Sequence, residues 1–251
     1  MTLLITGVTG VLGSELKKLF PDSISPEHKD FDICDKNQVD ALFNKEKFDL
    51  VIHTAAYTTV RGCEENKELA MKINVEGTKN LVNAILKFSP NTKFVYISTA
   101  CVFDGHSEMY VESSIPHPEN FYALTKLLGE SEAQRILHHI IVRTNFVGKN
   151  KWPYPGAFTD RFGTYVFADK VAYGIKEICE NYLEGVVHIV GDKKISMFDL
   201  AKITTPDVKP MTLNDYVGPP LTIDMSLDTE RWKKYKIGFG KLAQPLRVAI
   251  T

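Results

Sequence analysis

An apolar strand running into three glycines, a regular alternation of apolar strands with helical stretches, and a Tyr-x-x-x-Lys pair on a later helix together predict an α/β fold. The class is a doubly wound parallel sheet of the Rossmann type, because strands that alternate with helices form parallel sheets covered on both faces. The opening run is Leu3-Leu4-Ile5-Thr6-Gly7-Val8-Thr9-Gly10-Val11-Leu12-Gly13, followed by helical spacing at Leu12, Leu16, Leu19 and Phe20. Gly7 permits a tight turn, Gly10 lets backbone approach a phosphate, and Gly13 lets the helix sit close to the strand. The helix N-terminus then offers unpaired N–H groups and a positive dipole end to a pyrophosphate. The spacing is GxxGxxG, and its strand-before, helix-after context predicts a dinucleotide site.

The remaining elements follow in order. A polar segment from Pro21 to Asp35 leads to a helix over about 36–46 and a strand over 49–53. Helical patterns cover 64–72 and 75–86, and a strand covers 93–98. A helix from Tyr122 to about Arg135 precedes a strand over 140–143. Gly148 to Gly163, rich in Gly, Pro and aromatics, is expected to be a loop. A helix over about 168–182, a strand over 186–190, and a helix from Met197 capped by Ser196, with Asp199 three residues on, come next. The last fifty residues are expected to be irregular. Ligands on such sheets bind at the carboxyl ends of the strands. Gly7, Ala55, Thr99 and Arg143 all fall at such ends.

Bulk properties exclude several classes. Lys+Arg 30 against Asp+Glu 31 leaves the chain near neutral, which argues against nucleic acid and an anionic membrane surface. The apolar start is too short to span a membrane and lacks the marks of a signal peptide. Cys34, Cys63, Cys101 and Cys179 are scattered without CxxC pairs, predicting no metal site and no disulfide framework. A soluble cytoplasmic protein with free thiols is expected.

Tyr122 and Lys126, four apart, share one helix face. A phenol beside an ammonium is more acidic, so the pair can exchange a proton with a carbonyl or alcohol oxygen near neutral pH.

Several blocks carry a resemblance across nearly the whole chain: the glycine run, Asp32-Ile33-Cys34-Asp35, His53-Thr54-Ala55-Ala56-Tyr57, Ile73-Asn74-Val75-Glu76-Gly77-Thr78, Ile97-Ser98-Thr99, Tyr122/Lys126, Arg143-Thr144, Asp160-Arg161-Phe162-Gly163 and Leu227-Asp228. The chain resembles the extended short-chain dehydrogenase/reductase superfamily, and within it the dTDP-4-dehydrorhamnose reductase-like group of nucleotide-sugar 4-keto reductases. The resemblance implies a dinucleotide-binding domain over 1–145 and a small substrate-binding portion over 146–251, interleaved with the last strands of the sheet. It also implies the roles. Tyr122 would protonate the sugar C4 oxygen as hydride arrives, Lys126 would hold the nicotinamide ribose and lower the tyrosine pKa, and Thr99 would hydrogen-bond the same oxygen. Gly7, Thr9, Gly10, Val11, Leu12 and Gly13 would cradle the pyrophosphate, Asp32 and Ile33 would flank the adenine, and Ala55, Ala56 and Tyr57 would line the cofactor wall. Thr99, Ala100, Cys101, Val102 and Asn145 would face the substrate, a nucleotide-linked 4-keto-6-deoxyhexose. Asn74 would be structural, and a homodimer is plausible.

For the cofactor, Glu27 stands where an acid would take a ribose 2′-OH, while Ser25, His28 and Lys29 could meet a 2′-phosphate; a plain polar turn fits equally well. NADPH is the expected cofactor, with NADH as the alternative. The chain departs from the resemblance at Ala100-Cys101, where the reductases carry Asp-Tyr. A cysteine there is similar to enzymes that join 3,5-epimerisation to 4-reduction, with buried apolar filling as the plain alternative. Phe146–Phe158 is also compressed, leaving Trp152 or Tyr154 either to stack on substrate or to pack on the protein. His117 is expected to be an exposed loop residue. A different class stays open: a non-catalytic regulatory subunit resembling the methionine adenosyltransferase beta subunit.

Overall fold

The computed structural model describes residues 1–238; the final part of the C-terminal stretch expected to be irregular, 239–251, lies outside the described residues. The chain runs β1 (Leu3–Thr6), α1 (Val11–Leu19), α2 (Lys36–Lys45), β2 (Leu50–His53), α3 (Val60–Glu65) and α4 (Lys67–Met71). A π-helical turn over Lys72–Gly77 passes directly into α5 (Thr78–Phe88), then β3 (Lys93–Ile97), a 3-10 turn (Ala100–Val102), α6 (Phe121–Ala133) and β4 (His139–Thr144). Next come β5 (Phe146–Val147), β6 (Gly156–Phe158), β7 (Phe162–Gly163), β8 (Val166–Phe167), α7 (Ala168–Glu180), β9 (Gly185–Ile189), β10 (Ile195–Ser196), α8 (Met197–Thr204), β11 (Lys209–Met211) and β12 (Asp224–Met225).

The central sheet is wholly parallel in the order β1-β2-β3-β4-β9. Alternation along its strands builds two cores. Leu3, Ile5, Leu50, Ile52, Val95 and Val142 face α1 and α7, where Leu16, Val171 and Ile175 meet them. Leu4, Val51, Phe94, Tyr96 and Ile141 face the other way, against Val39 and Phe43 of α2 and Leu81 and Ile85 of α5. Both faces of each strand are therefore buried, which is why the strands read as unbroken apolar runs.

Two features depart from the sequence expectation. Within the polar 21–35 segment, Ile24 forms a parallel bridge with Leu4, its N–H donating to the Leu3 carbonyl at 2.8 Å. The chain thus leaves β1 first to one side, at Ile24, and then to the other, at β2, creating the point where strand order reverses and where such sheets open a crevice. The stretch expected as a loop contains two short strands: β6 pairs with β11, and β7 lies between β10 and β12. Two or three residues are too few to show periodicity, and their partners lie far away in sequence.

Candidate active site

The first half of the site is a cleft of about 270 Å³ at the carboxyl ends of β1 and β2. Gly7 sits at φ +74°, and a Cβ there would lie 2.6 Å from the Ala55 backbone nitrogen. A Cβ on Gly13 would stand 2.1 Å from the Gly7 carbonyl oxygen. The loop and the first turn of α1 therefore close on each other only as glycine. Gly10 caps α1 without a side-chain hydrogen bond, and no acidic residue occupies the first turn. The helix N-terminus is left with unpaired N–H groups suited to an anion.

Gly7, Thr9 and Gly10 line the cleft together with Asp32, Ile33, Ala55 and Ala56. Thr6, Val8, Pro26, His28, Phe31, Cys34, Thr54 and Ile73 complete the wall; of these His28 was expected to meet the cofactor. Lys29 pairs with Glu27 at 3.2 Å and the Ser25 hydroxyl bonds Ser23 at 2.6 Å, whereas His28 faces the cleft. The Asp32 carboxylate accepts from the Cys34 N–H at 2.9 Å. Leu12 is buried in the core, and Val11, half-exposed, lines a neighbouring cleft with Lys149 and Asp169. Beneath the floor, His53 bridges the Thr6 and Thr78 hydroxyls at 2.7 and 3.0 Å. Burial, reinforced by the Lys126 charge, pushes its pKa down to about 3, so the ring is a neutral tie between strand and helix.

Asn74, on the π-helical turn, accepts from the Tyr57 N–H at 2.7 Å and donates to the Tyr57 carbonyl at 2.9 Å and the Thr125 hydroxyl at 2.9 Å. It pins the wall segment after β2 to α6, the structural role expected of it.

The second half of the site gathers at the ends of β3 and β4. Asn120 caps α6, accepting from Ala123 N–H at 2.9 Å, and Glu64 accepts from Phe121 N–H at 2.7 Å. That fixes the turn carrying Tyr122. Thr99 caps the 3-10 turn, accepting from Cys101 N–H at 3.1 Å, and its hydroxyl acts on the Tyr122 phenol to lower its pKa. Lys126, 4% exposed, places Nζ 4.1 Å from the centre of the Tyr96 ring. Tyr96 in turn donates to the Lys126 carbonyl at 3.3 Å, and only a glycine at 129 leaves room for its hydroxyl.

The electrostatics correct one expectation. Burial, the first cause, drives the Tyr122 pKa upward, with the Cys101 and Cys63 thiols adding to it and the Thr99 hydrogen bond opposing it. Lys126 is itself pushed down to about 7 by burial, only partly offset by Glu130. Lys126 is not among the groups that act on Tyr122, so burial sets the phenol's pKa and keeps it protonated, able to donate.

Behind this pair lies a buried polar chain that the sequence did not reveal. Ser98 donates to Glu130 at 2.5 Å, and Arg143 grips Glu130 in two bonds of 3.0 and 2.7 Å. Its one signal was an acid four residues after Lys126 on a buried face. Arg143, placed by its strand end among the edge residues, is turned into this pair.

On the substrate side, Ala100, Cys101 and Val102 are buried with Tyr165, Met225 and Leu227, and Tyr122 packs against the same cluster. The Cys101 sulfur lies 3.5 Å from that of Met225. Asn145 donates to the Met225 carbonyl at 2.6 Å, and Arg161 donates to the Thr222 carbonyl at 2.8 Å. The 222–227 segment therefore packs against the turn after β3 and the end of β4. Trp152 is half-buried against the body, donating to the Gly156 carbonyl at 3.0 Å, while Tyr154 and His117 stand exposed. Among the described residues no three His, Cys, Asp or Glu side chains converge to hold a metal, and no helix is long and apolar enough to cross a membrane.

The chain is 30% identical over 227 residues to the dTDP-4-dehydrorhamnose reductase of Aggregatibacter actinomycetemcomitans, covering 79% of this chain and 76% of that one. It is 27% identical to methionine adenosyltransferase 2 subunit beta of Xenopus laevis, over 98% of this chain and 85% of that one. The crystal structure of dTDP-4-dehydrorhamnose reductase from Bacillus anthracis in complex with NADP superposes with a TM-score of 0.83 at 26% identity, covering 91% of each chain. The model of the RmlD substrate binding domain matches residues 1–153, and the chain accordingly belongs to that family, within the extended short-chain dehydrogenases/reductases.

Proposed function

We propose that the protein is an NADPH-dependent oxidoreductase that reduces the C4 keto group of a nucleotide-linked 4-keto-6-deoxyhexose. The observation that carries this reading is the meeting of Thr99, Tyr122 and Lys126 at one sheet edge, beside a glycine-lined cleft whose helix N-terminus is uncapped. Named reductases among the relatives, including a dTDP-4-keto-6-deoxy-D-glucose reductase, and the NADP-bound neighbour support it.

NADPH supplies the hydride. The chain's own residues do the rest. The α1 N-terminus and the Gly7–Gly13 loop take the pyrophosphate, Asp32 and Ile33 flank the adenine, and His28 stands where a 2′-phosphate would arrive. Lys126 takes the ribose hydroxyls. Thr99 holds the sugar oxygen, and the protonated Tyr122 gives it a proton as the carbon–oxygen double bond becomes an alcohol. Raising a phenol's pKa by burial favours keeping that proton until a more basic alkoxide develops. Residues 1–145 act as the cofactor half and 146–238 supply the substrate wall.

Two further readings have specific support. Cys101 is buried in the cluster against which Tyr122 packs, which favours added 3,5-epimerisation. The near full-length match to methionine adenosyltransferase beta subunits favours a regulatory role. Incubating the protein in D2O with NADPH and the 4-keto-6-deoxyglucose derivatives of dTDP and UDP separates all three. Reduced product without ring deuterium supports the plain reductase. Deuterium at C3 or C5 establishes epimerisation as well. Unchanged NADPH with both sugars and with their 3,5-epimers, the 4-dehydrorhamnose forms, rejects the reductase reading. A homodimer, part of the same reading, is checked by sedimentation.

A further inference from the structure

A second cleft opens beside the glycine-lined one. It measures about 270 Å³ and shares Thr9 and Gly10 with its neighbour, so both clefts border the turn that leads into α1. Facing that turn is the loop that follows β5. A Cβ on Gly148 would lie 3.3 Å from Val11 Cγ1, which sets this loop against the first turn of α1. The next residue, Lys149, lines the second cleft. Among the described residues it is the only lysine or arginine along either cleft.

Lys149 is tethered at the rim. Its ammonium meets Asp169 Oδ2 at 2.7 Å, in the first turn of α7, and lies 5.9 Å from the centre of the Phe167 ring. The tether is weak in kind. The lysine side chain is 44% exposed, and water screens an ion pair of that sort until it adds little to stability. Glu15 also lines this cleft, but its carboxylate is already paired with Lys18 at 2.7 Å.

A pyrophosphate in the Gly7–Gly13 turn brings two negative charges to peptide N–H groups that carry only partial positive charge. A full counter-charge on a long, flexible side chain stands on the other side of Thr9 and Gly10. We propose that Lys149 is a cofactor clamp, whose ammonium exchanges Asp169 for the pyrophosphate of the bound dinucleotide. Asp169 is its resting partner and holds the lysine at the cleft until the cofactor arrives. The target differs from that of His28, which stands toward the 2′-phosphate. The assignment rests on the dinucleotide reading of the glycine-lined cleft.

The test is calorimetric titration of the full chain with NADPH and with NADH. Lys149→Met weakens both by roughly 10-fold, the loss expected for one charge-assisted hydrogen bond. Asp169→Asn tightens both, because the lysine then leaves no carboxylate behind. The double variant has no carboxylate to repel the phosphates, and it still binds both cofactors less tightly than the wild type. A loss below about threefold in Lys149→Met overturns the clamp. So does a double variant that regains wild-type affinity, since the single loss was then repulsion by Asp169. Unchanged or weaker binding in Asp169→Asn overturns the exchange. A loss confined to NADPH moves the lysine to the 2′-phosphate and also overturns the clamp. If the wild type binds neither cofactor, the dinucleotide reading fails and this assignment with it.

Discussion

At the β1 end of the sheet the site is open, walled by backbone and small side chains, and shaped by glycines that tolerate no Cβ. At the β3 and β4 ends it is closed, and shaped by side chains: Tyr122 and Cys101 pack with a segment that arrives from 222–227, and Lys126 lies buried over the Tyr96 ring. The first region is built to receive an anion at a helix terminus, where fixed dipoles need no rearrangement. The second is built to control protonation, because desolvation there sets both the tyrosine and the lysine. Pyrophosphate binding and proton transfer thus fall to physically different halves of one edge in the proposed reading, with Lys126 as the one side chain serving both halves, and substitutions should separate them.

The largest effect belongs to the closed half. Tyr122→Phe removes the proposed proton donor, and kcat is expected to fall ~100- to 10,000-fold. NADPH affinity, measured by fluorescence titration, stays within twofold, because the phenol is not part of the open cleft. Equal losses in both would erase the division.

Next is the support behind the closed half. Glu130→Gln leaves Arg143 buried without its counter-charge and destabilises the fold by about 3–5 kcal/mol in denaturant unfolding. The side chains are nearly inaccessible, at 5% and 2% exposure, so solvent cannot replace the lost pair.

In the open half, Gly13→Ala forces a methyl against the Gly7 carbonyl. The strain is worth about 1–3 kcal/mol. It appears mainly as weakened NADPH binding, with Tyr122 chemistry on saturated enzyme preserved.

The smallest effect is a slope. Lys126 has a folded pKa of about 7, below its unfolded value, so between those values the unfolded chain binds more protons than the folded one. Its burial penalty is full below pH 7 and is relieved as pH rises, adding at most about 1.4 kcal/mol of stability per pH unit. The window to measure is about pH 7 to 8.5. Above it Cys34, Cys63 and Cys179, pushed up to about 11 by burial, act with the opposite sign. Lys126→Met flattens the slope.

The same contrast explains what the sequence revealed. The open half is local: Gly7, Gly10 and Gly13 sit within one strand–turn–helix, and Ala55 and Ala56 directly follow a strand, so spacing alone located them. Tyr122 and Lys126 lie on one helix, and Ser196 with Asp199 form one cap. The closed half depends on contacts across the chain. Asn145 meets Met225, Arg161 meets Thr222, and Glu130 meets Ser98 from separate elements. Sequence periodicity carries no information about such pairings. The expected acidity of Tyr122 also missed its sign, because adjacency to a lysine is visible in sequence and the depth of burial is not. The strands β6 and β7 were hidden for the same reason, since their partners come from distant segments.

The most direct test of the central claim follows the hydride itself. The protein is given NADPH deuterated at C4 of the nicotinamide, on each face in turn, together with dTDP-4-keto-6-deoxyglucose and its UDP counterpart. The account predicts that one face delivers deuterium to C4 of the sugar and that Tyr122→Phe suppresses the transfer. Deuterium retained on the cofactor from both faces, with NADPH shown by calorimetry to occupy the cleft, would contradict it and leave a protein that binds a dinucleotide without turning it over.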